Sequence, residues 1–126
     1  MKIKTLMICK AIVCLGFGLP MLIVPVFLMG IYGLELDING VVMARLYGGA
    51  LFGNLLLTWF ARNDTGSTTL RAAILYLFVY DGINFFVTLW ATLTGIMGIL
   101  GWSAVAIYLF FTLGFGYALF QYKKAN

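Results

Sequence analysis

The chain has 126 residues, 63% of them hydrophobic and 10% charged, with a formal net charge of +4. A soluble domain of this size needs far more charge to cover its surface, so the composition points to one transmembrane domain over residues 1–126, with no room for a separate soluble unit. The basic residues sit at the edges of apolar runs and not in a patch interleaved with aromatics, which argues against nucleic acid as a partner.

Apolar runs of 18 or more residues predict transmembrane helices. Four such runs, at about 5–28, 41–61, 71–94 and 102–120, predict an all-α integral membrane four-helix bundle. After a short basic start, the first run contains Lys10, placed to snorkel to the nearby interface. Pro20 and Pro25 each remove a backbone donor, so this helix is expected to kink or end early. No small-residue cleavage site follows it, and it reads as retained in the mature chain. Cys9 and Cys14 lie five apart, do not share a helix face and read as small apolar core residues.

The connection from Met29 to Gly40 is punctuated by glycines. Glu35-Leu36-Asp37-Ile38 has the alternation of a short interfacial segment, and Asp37-Ile38-Asn39-Gly40 carries turn chemistry ahead of the second span. That span contains Arg45, Asn54 and Thr58. Ala44 with Gly48, and Gly49 with Gly53, are four apart, a spacing that lets helices approach closely. The loop from Arg62 to Thr69 is polar. Its Asn63-Asp64-Thr65 matches a glycosylation acceptor but falls on the cytoplasmic side, and Thr68 or Thr69 is placed to cap the third helix. After the third span, Gly95, Gly98 and Gly101 recur at three-residue steps. They predict a tight, buried connection or, failing that, the first turns of the fourth helix.

With four spans, one side holds Lys2, Lys4, Lys10, Arg62, Arg71, Lys123 and Lys124, and the other only Arg45. The positive-inside rule then puts both termini in the cytoplasm. Trp59, Tyr76, Tyr117 and Tyr122 fall near the inner interface, and Tyr32, Tyr47, Trp90 and Trp102 near the outer one.

The residues that could carry chemistry centre on Asp81 in the third span. At ~1.5 Å per residue it lies ~15 Å deep, close to the bilayer centre. Asn84 is one turn further out on the same face. On the second span Arg45 lies ~6 Å from the outer end and Asn54 ~20 Å from it. Packing the second span against the third would align a polar seam of Arg45, Asn84, Asp81 and Asn54. A lone intramembrane charge costs about 3 kcal/mol on insertion scales, and a partner lowers that cost. The seam reads either as interhelical glue or as a proton or cation site with Asp81 as carrier and Arg45 as counter-charge. Arg45 has a plainer reading as a snorkelling side chain, or as a partner of Glu35 or Asp37.

Catalytic and cofactor motifs are not found. There is no histidine, no nucleophile–base–acid set, no phosphate-binding loop and no dinucleotide fingerprint, so no catalytic residue, metal ligand or cofactor is expected. Glu35 and Asp37 alone supply too few oxygens for a metal. The aromatics Phe85, Phe86, Phe110, Phe111 and Phe115 read as packing or lipid-facing surface, or as contacts for an apolar lipid, quinone or pigment.

Gly33-Leu34-Glu35-Leu36, Ala44-Arg45-Leu46-Tyr47-Gly48-Gly49, and the closing Gly101-Trp102 with Gly114-Phe115-Gly116-Tyr117 resemble a group of small uncharacterised bacterial four-span membrane proteins, catalogued as domains of unknown function. The resemblance spans roughly Gly33 to Tyr117. It implies a bacterial inner-membrane location and brings no activity. Small multidrug exporters are expected to carry a glutamate in the first span, which this chain lacks. The Asn and Phe motifs of fluoride channels do not line up with Asn54 or Phe85. The expectation is a non-enzymatic accessory subunit packing against larger membrane-protein subunits. The alternative is a small proton or cation transporter or channel using Asp81, as a homo-oligomer.

Overall fold

The computed structural model describes residues 2–64 and 67–124, which form five helices and no strand. They are α1 (Ile3–Ile23), α2 (Pro25–Ile31), α3 (Ile38–Ala61), α4 (Thr68–Leu93) and α5 (Gly101–Lys124). Four of them, all but the 7-residue α2, are long and apolar enough to cross a membrane. The protein is thus a multi-pass membrane protein by length and composition. Thr65 of the Asn63-Asp64-Thr65 acceptor lies outside the described residues, as do the side chains of Tyr122, Lys123 and Lys124.

Local chemistry sets the helix ends. Pro20 stays inside α1, whereas Pro25 ends it: proline has no N–H for the helical ladder and pushes the residue before it out of the helical region. Val24 accordingly takes φ −131°, ψ 60°, and Pro25 becomes the first residue of α2, where the missing donor costs nothing. The Asp37 side chain caps α3 by accepting from the Gly40 N–H at 2.7 Å. At α4 the cap is Ser67, not Thr68 or Thr69. Its hydroxyl accepts from the Leu70 N–H at 3.0 Å, and both threonines already lie inside the helix.

The α4–α5 connection is tight, as expected, but Gly95 and Gly98 are exposed rather than buried. The turn sits on the end of the bundle, with only the segment after α2 beside it, through a Gly98 N–H donated to the Tyr32 carbonyl at 2.7 Å. Gly95 has φ +79°, a conformation that glycine adopts without strain. Gly101 is buried and begins α5.

The spans pack as two antiparallel hairpins, α1 with α3 and α4 with α5, and the hairpins meet only lightly through α1–α5 and α3–α4. Around the bundle the order is α1, α3, α4, α5. The diagonal pairs, α1 with α4 and α3 with α5, have no Cα atoms within 8 Å. Small residues make the first hairpin tight. A Cβ on Gly48 would stand 3.0 Å from the Leu22 amide and 3.1 Å from the Gly18 carbonyl, so the two backbones touch there. At the end that carries Lys2, Lys4 and Arg71, the hairpins are joined by a packed core. Leu6 and Met7 of α1, Leu70, Ile74 and Leu77 of α4, and Phe111, Phe115 and Ala118 of α5 form it.

A candidate ligand cavity above an intramembrane polar layer

Two polar bridges cross the bundle where that core ends. The first joins α1 to α4 along one diagonal: Lys10 Nζ donates to Asp81 Oδ1 at 2.5 Å, with the side chains 2% and 0% exposed. The second joins α3 to α5 along the other diagonal, a hydrogen bond between the hydroxyls of Tyr47 and Tyr108. The Lys10 ammonium also lies 4.8 Å from the ring centre of Phe111, 5.3 Å from that of Tyr80 and 5.7 Å from that of Tyr108. Aromatic faces stabilise a cation in a dry setting, so the ammonium is held by three rings and one carboxylate. Asp81 Oδ2 is buried with no hydrogen-bond partner among the described residues. The Tyr80 hydroxyl is likewise buried without a well-aligned partner, beside that of Tyr47.

The expected seam is therefore only partly assembled. Asp81 is buried mid-helix as expected, but its partner is Lys10, and Lys10 does not snorkel. Lys10 faces the bundle axis, and turning toward the interface would leave Asp81 as an uncompensated buried charge. Arg45 is exposed on the lipid side of α3 and takes no part in an ion pair among the described residues. The reason is rotation about the helix axis: Arg45 has the right depth for a seam but points away from α4. Asn54 is buried and accepts from the Tyr76 hydroxyl at 2.8 Å, linking α3 to α4 below Asp81, while its amide nitrogen has no partner among the described residues. Asn84 turns back to donate to the Tyr80 carbonyl at 2.9 Å and borders the cavity described next.

The candidate packing residues divide in the same way. Gly48 is buried against α1, and Ala44 faces the bundle interior. Gly49 and Gly53 are exposed, with nothing within 4 Å of where a Cβ would stand, so they pack no helix of this chain. The partner of Gly48 is Gly18, which sits just before the α1 proline and belongs to no small-residue pair that spacing alone picks out.

Between the two hairpins, on the side of the polar layer opposite the core, lies a cavity of about 400 Å³. All four spans wall it. Lys10, Tyr47, Tyr108 and Asn84 border its inner end, and Tyr32, Leu34, Leu36 and Met97 its outer end. Its volume falls in the range of small-molecule sites, which are mostly apolar with a few placed polar groups. Kinks and splay create it: the break at Val24 redirects α2, and among the described residues the buried core that joins the hairpins lies at the other end. The Tyr32–Gly98 backbone bond ties the two hairpins together at the outer end, and the Tyr32 ring leans on Phe17 with centroids 6.3 Å apart. Cys14 is buried and borders the same space, and both cysteines are free thiols. No cluster of three or more metal-binding side chains occurs among the described residues.

Comparison with known proteins returns no matching family model, no similar curated protein and no similar solved structure.

Proposed function

We propose that the protein is a small-molecule binding protein of the bacterial inner membrane, with both termini in the cytoplasm, which holds an apolar ligand in the cavity between its two helix hairpins. One observation carries this reading. The four spans line a partly open apolar space of about 400 Å³ that ends on a built polar layer. A recess of this volume, mostly apolar with a few placed polar groups at one end, has the character of a small-molecule site. The packed core between the polar layer and the basic end supports binding over conduction, because it blocks a path along the bundle axis. Asp81 as a proton or cation carrier is less well supported, since one carboxylate oxygen is already held by Lys10. The orientation rests on the basic residues gathered at the core end.

A second reading, an accessory subunit of a larger membrane assembly or a homo-oligomer, is favoured by Gly49 and Gly53. They present a small-residue strip on α3 that this chain leaves uncovered.

Native mass spectrometry after gentle extraction tests both readings. A bound mass of a few hundred daltons that is lost on Ala104→Phe, a substitution that fills the cavity, is the expected result. A chain free of any such mass, or one that keeps it unchanged in Ala104→Phe, overturns the binding reading. A larger protein at fixed ratio, lost on Gly49→Leu/Gly53→Leu, supports the accessory one.

A further inference from the structure

The chemistry of the cavity floor narrows the occupant, given the binding reading above. Among the described residues Lys10 is the one charged residue that borders the space, and its charge is already matched by Asp81. The layer is therefore neutral as it stands. An anionic head beside it would add an uncompensated negative charge next to the Asp81 carboxylate, and a cationic head would do the same next to the Lys10 ammonium. Both are costly in a low-dielectric interior.

Hydrogen-bond inventory gives the second constraint. Linking the Tyr47 hydroxyl to those of Tyr108 and Tyr80 takes two of the three phenolic protons, and with Tyr80 donating inward the Tyr108 proton is left to turn into the cavity. Lys10 directs one N–H at Asp81 and has two more. The Thr88 hydroxyl proton, by contrast, is used on the Asn84 carbonyl at 2.8 Å. Asp81 Oδ2, without a partner among the described residues, and the Tyr80 hydroxyl do not border the cavity, and Asn84 at its edge keeps one amide N–H and its Oδ1. Spare donors thus outnumber side-chain carbonyl acceptors on the floor, and an acceptor oxygen is what satisfies them.

The walls give the third. Four of the chain's six methionines, Met21, Met29, Met43 and Met97, line this one cavity. Thioethers are polarisable, adapt to irregular shapes and make favourable contacts with aromatic edges. They lie toward the outer end and suit an irregular apolar tail, whereas at the floor Tyr47 and Tyr108 supply the aromatic surface that suits a flat conjugated head.

We propose that the cavity takes a neutral lipophile with a flat conjugated head bearing carbonyl oxygens, a quinone-type molecule, with one carbonyl accepting from the Tyr47–Tyr108–Lys10 layer. The head lies on that layer, and the apolar remainder runs past the methionines to the outer end.

The test is equilibrium competition in lipid nanodiscs, read by native mass spectrometry with three probes: decylubiquinone, oleate and dodecylamine. Decylubiquinone is expected to bind at one per chain and to resist displacement by either charged amphiphile. Removing both hydroxyls in Tyr47→Phe/Tyr108→Phe keeps the rings and is expected to weaken it roughly 3- to 10-fold, the loss of one buried neutral hydrogen bond. Oleate or dodecylamine binding as tightly as the quinone, or quinone affinity unchanged in the double variant, overturns the head-group inference. If the charged amphiphiles bind and Ala104→Phe abolishes their binding, the cavity reading survives that loss. No probe bound, with no endogenous mass either, overturns both. Circular dichroism and Cys14 protection identify a double variant that has not folded. Tyr108→Phe alone, which leaves one free phenolic proton, then serves as a folded comparison and is expected to keep most of the affinity.

Discussion

Lys10→Met is the perturbation most informative about how the two hairpins are held together. The ammonium and carboxylate are 2.5 Å apart and almost wholly buried, at 2% and 0% exposure. Removing the cation strands a carboxylate on α4 with no other ion-pair partner among the described residues. Breaking a buried pair from one side costs about 3–5 kcal/mol, whereas replacing both members by apolar residues of similar volume is often neutral or stabilising. Lys10→Met is therefore expected to lose at least ~3 kcal/mol, and Lys10→Met/Asp81→Leu to recover most of it. For a chain of this length ~3 kcal/mol corresponds to a fall of about 10 °C in Tm. A thiol-reactive dye reports it, because Cys14 is 1% exposed in the folded chain and reacts as the bundle opens. A Cys9→Ala background removes the second thiol. A fall below ~2 °C in Lys10→Met would mean that the side chain sits at the interface, as its distance from the N-terminus suggests on its own. A double variant no better than the single one would mean that the pair does not couple α1 to α4. Either result would falsify the account of the polar layer.

The packing of the spans sets further expectations. Gly48→Leu is expected to destabilise by about 1–3 kcal/mol through overpacking against Leu22 and Gly18, while Gly49→Ala and Gly53→Ala are neutral or stabilise by up to ~1 kcal/mol. The same dye assay separates them, and equal effects at Gly48 and Gly49 would contradict the helix pairing. Arg45→Gln is expected to change stability by less than ~0.5 kcal/mol, since the side chain is exposed and outside the polar layer. A loss comparable with that of Lys10→Met would restore it as the counter-charge of Asp81. Gly33 has φ +81° and a would-be Cβ 3.0 Å from the Gly98 amide, so Gly33→Ala is expected to cost about 1–2 kcal/mol and to loosen the outer end of the cavity. Faster labelling of Cys14 by a small thiol reagent at a temperature where the chain stays folded measures that loosening.

Hydropathy is a property of consecutive residues, so the number of spans and their approximate ends are legible along the chain. The same holds for the turn at Asp37 and the helix break near Pro25, because capping and proline geometry act over a few residues. Asp81 also stands out unaided, since a carboxylate at mid-membrane is costly whichever helix faces it. Its partner does not stand out. Depth can be counted from the span ends, and by depth Arg45 and Asn54 suit Asp81 as well as any residue. Depth leaves open which helices are neighbours and how each is turned about its axis. Spans apolar on every side give little sign of either, because lipid accepts any of their faces. Only the assembled bundle sets α1 across the diagonal from α4, which brings Lys10 to Asp81, turns Arg45 outward and leaves Gly49 and Gly53 uncovered. The cavity depends on that arrangement too. Its lining comes from all four spans and from residues as far apart as Lys10 and Tyr108, most of them ordinary apolar or aromatic positions in their own helices. A space between helices exists only once the helices are packed, whereas the membrane character, the four spans and the buried charge are already written in the linear chain.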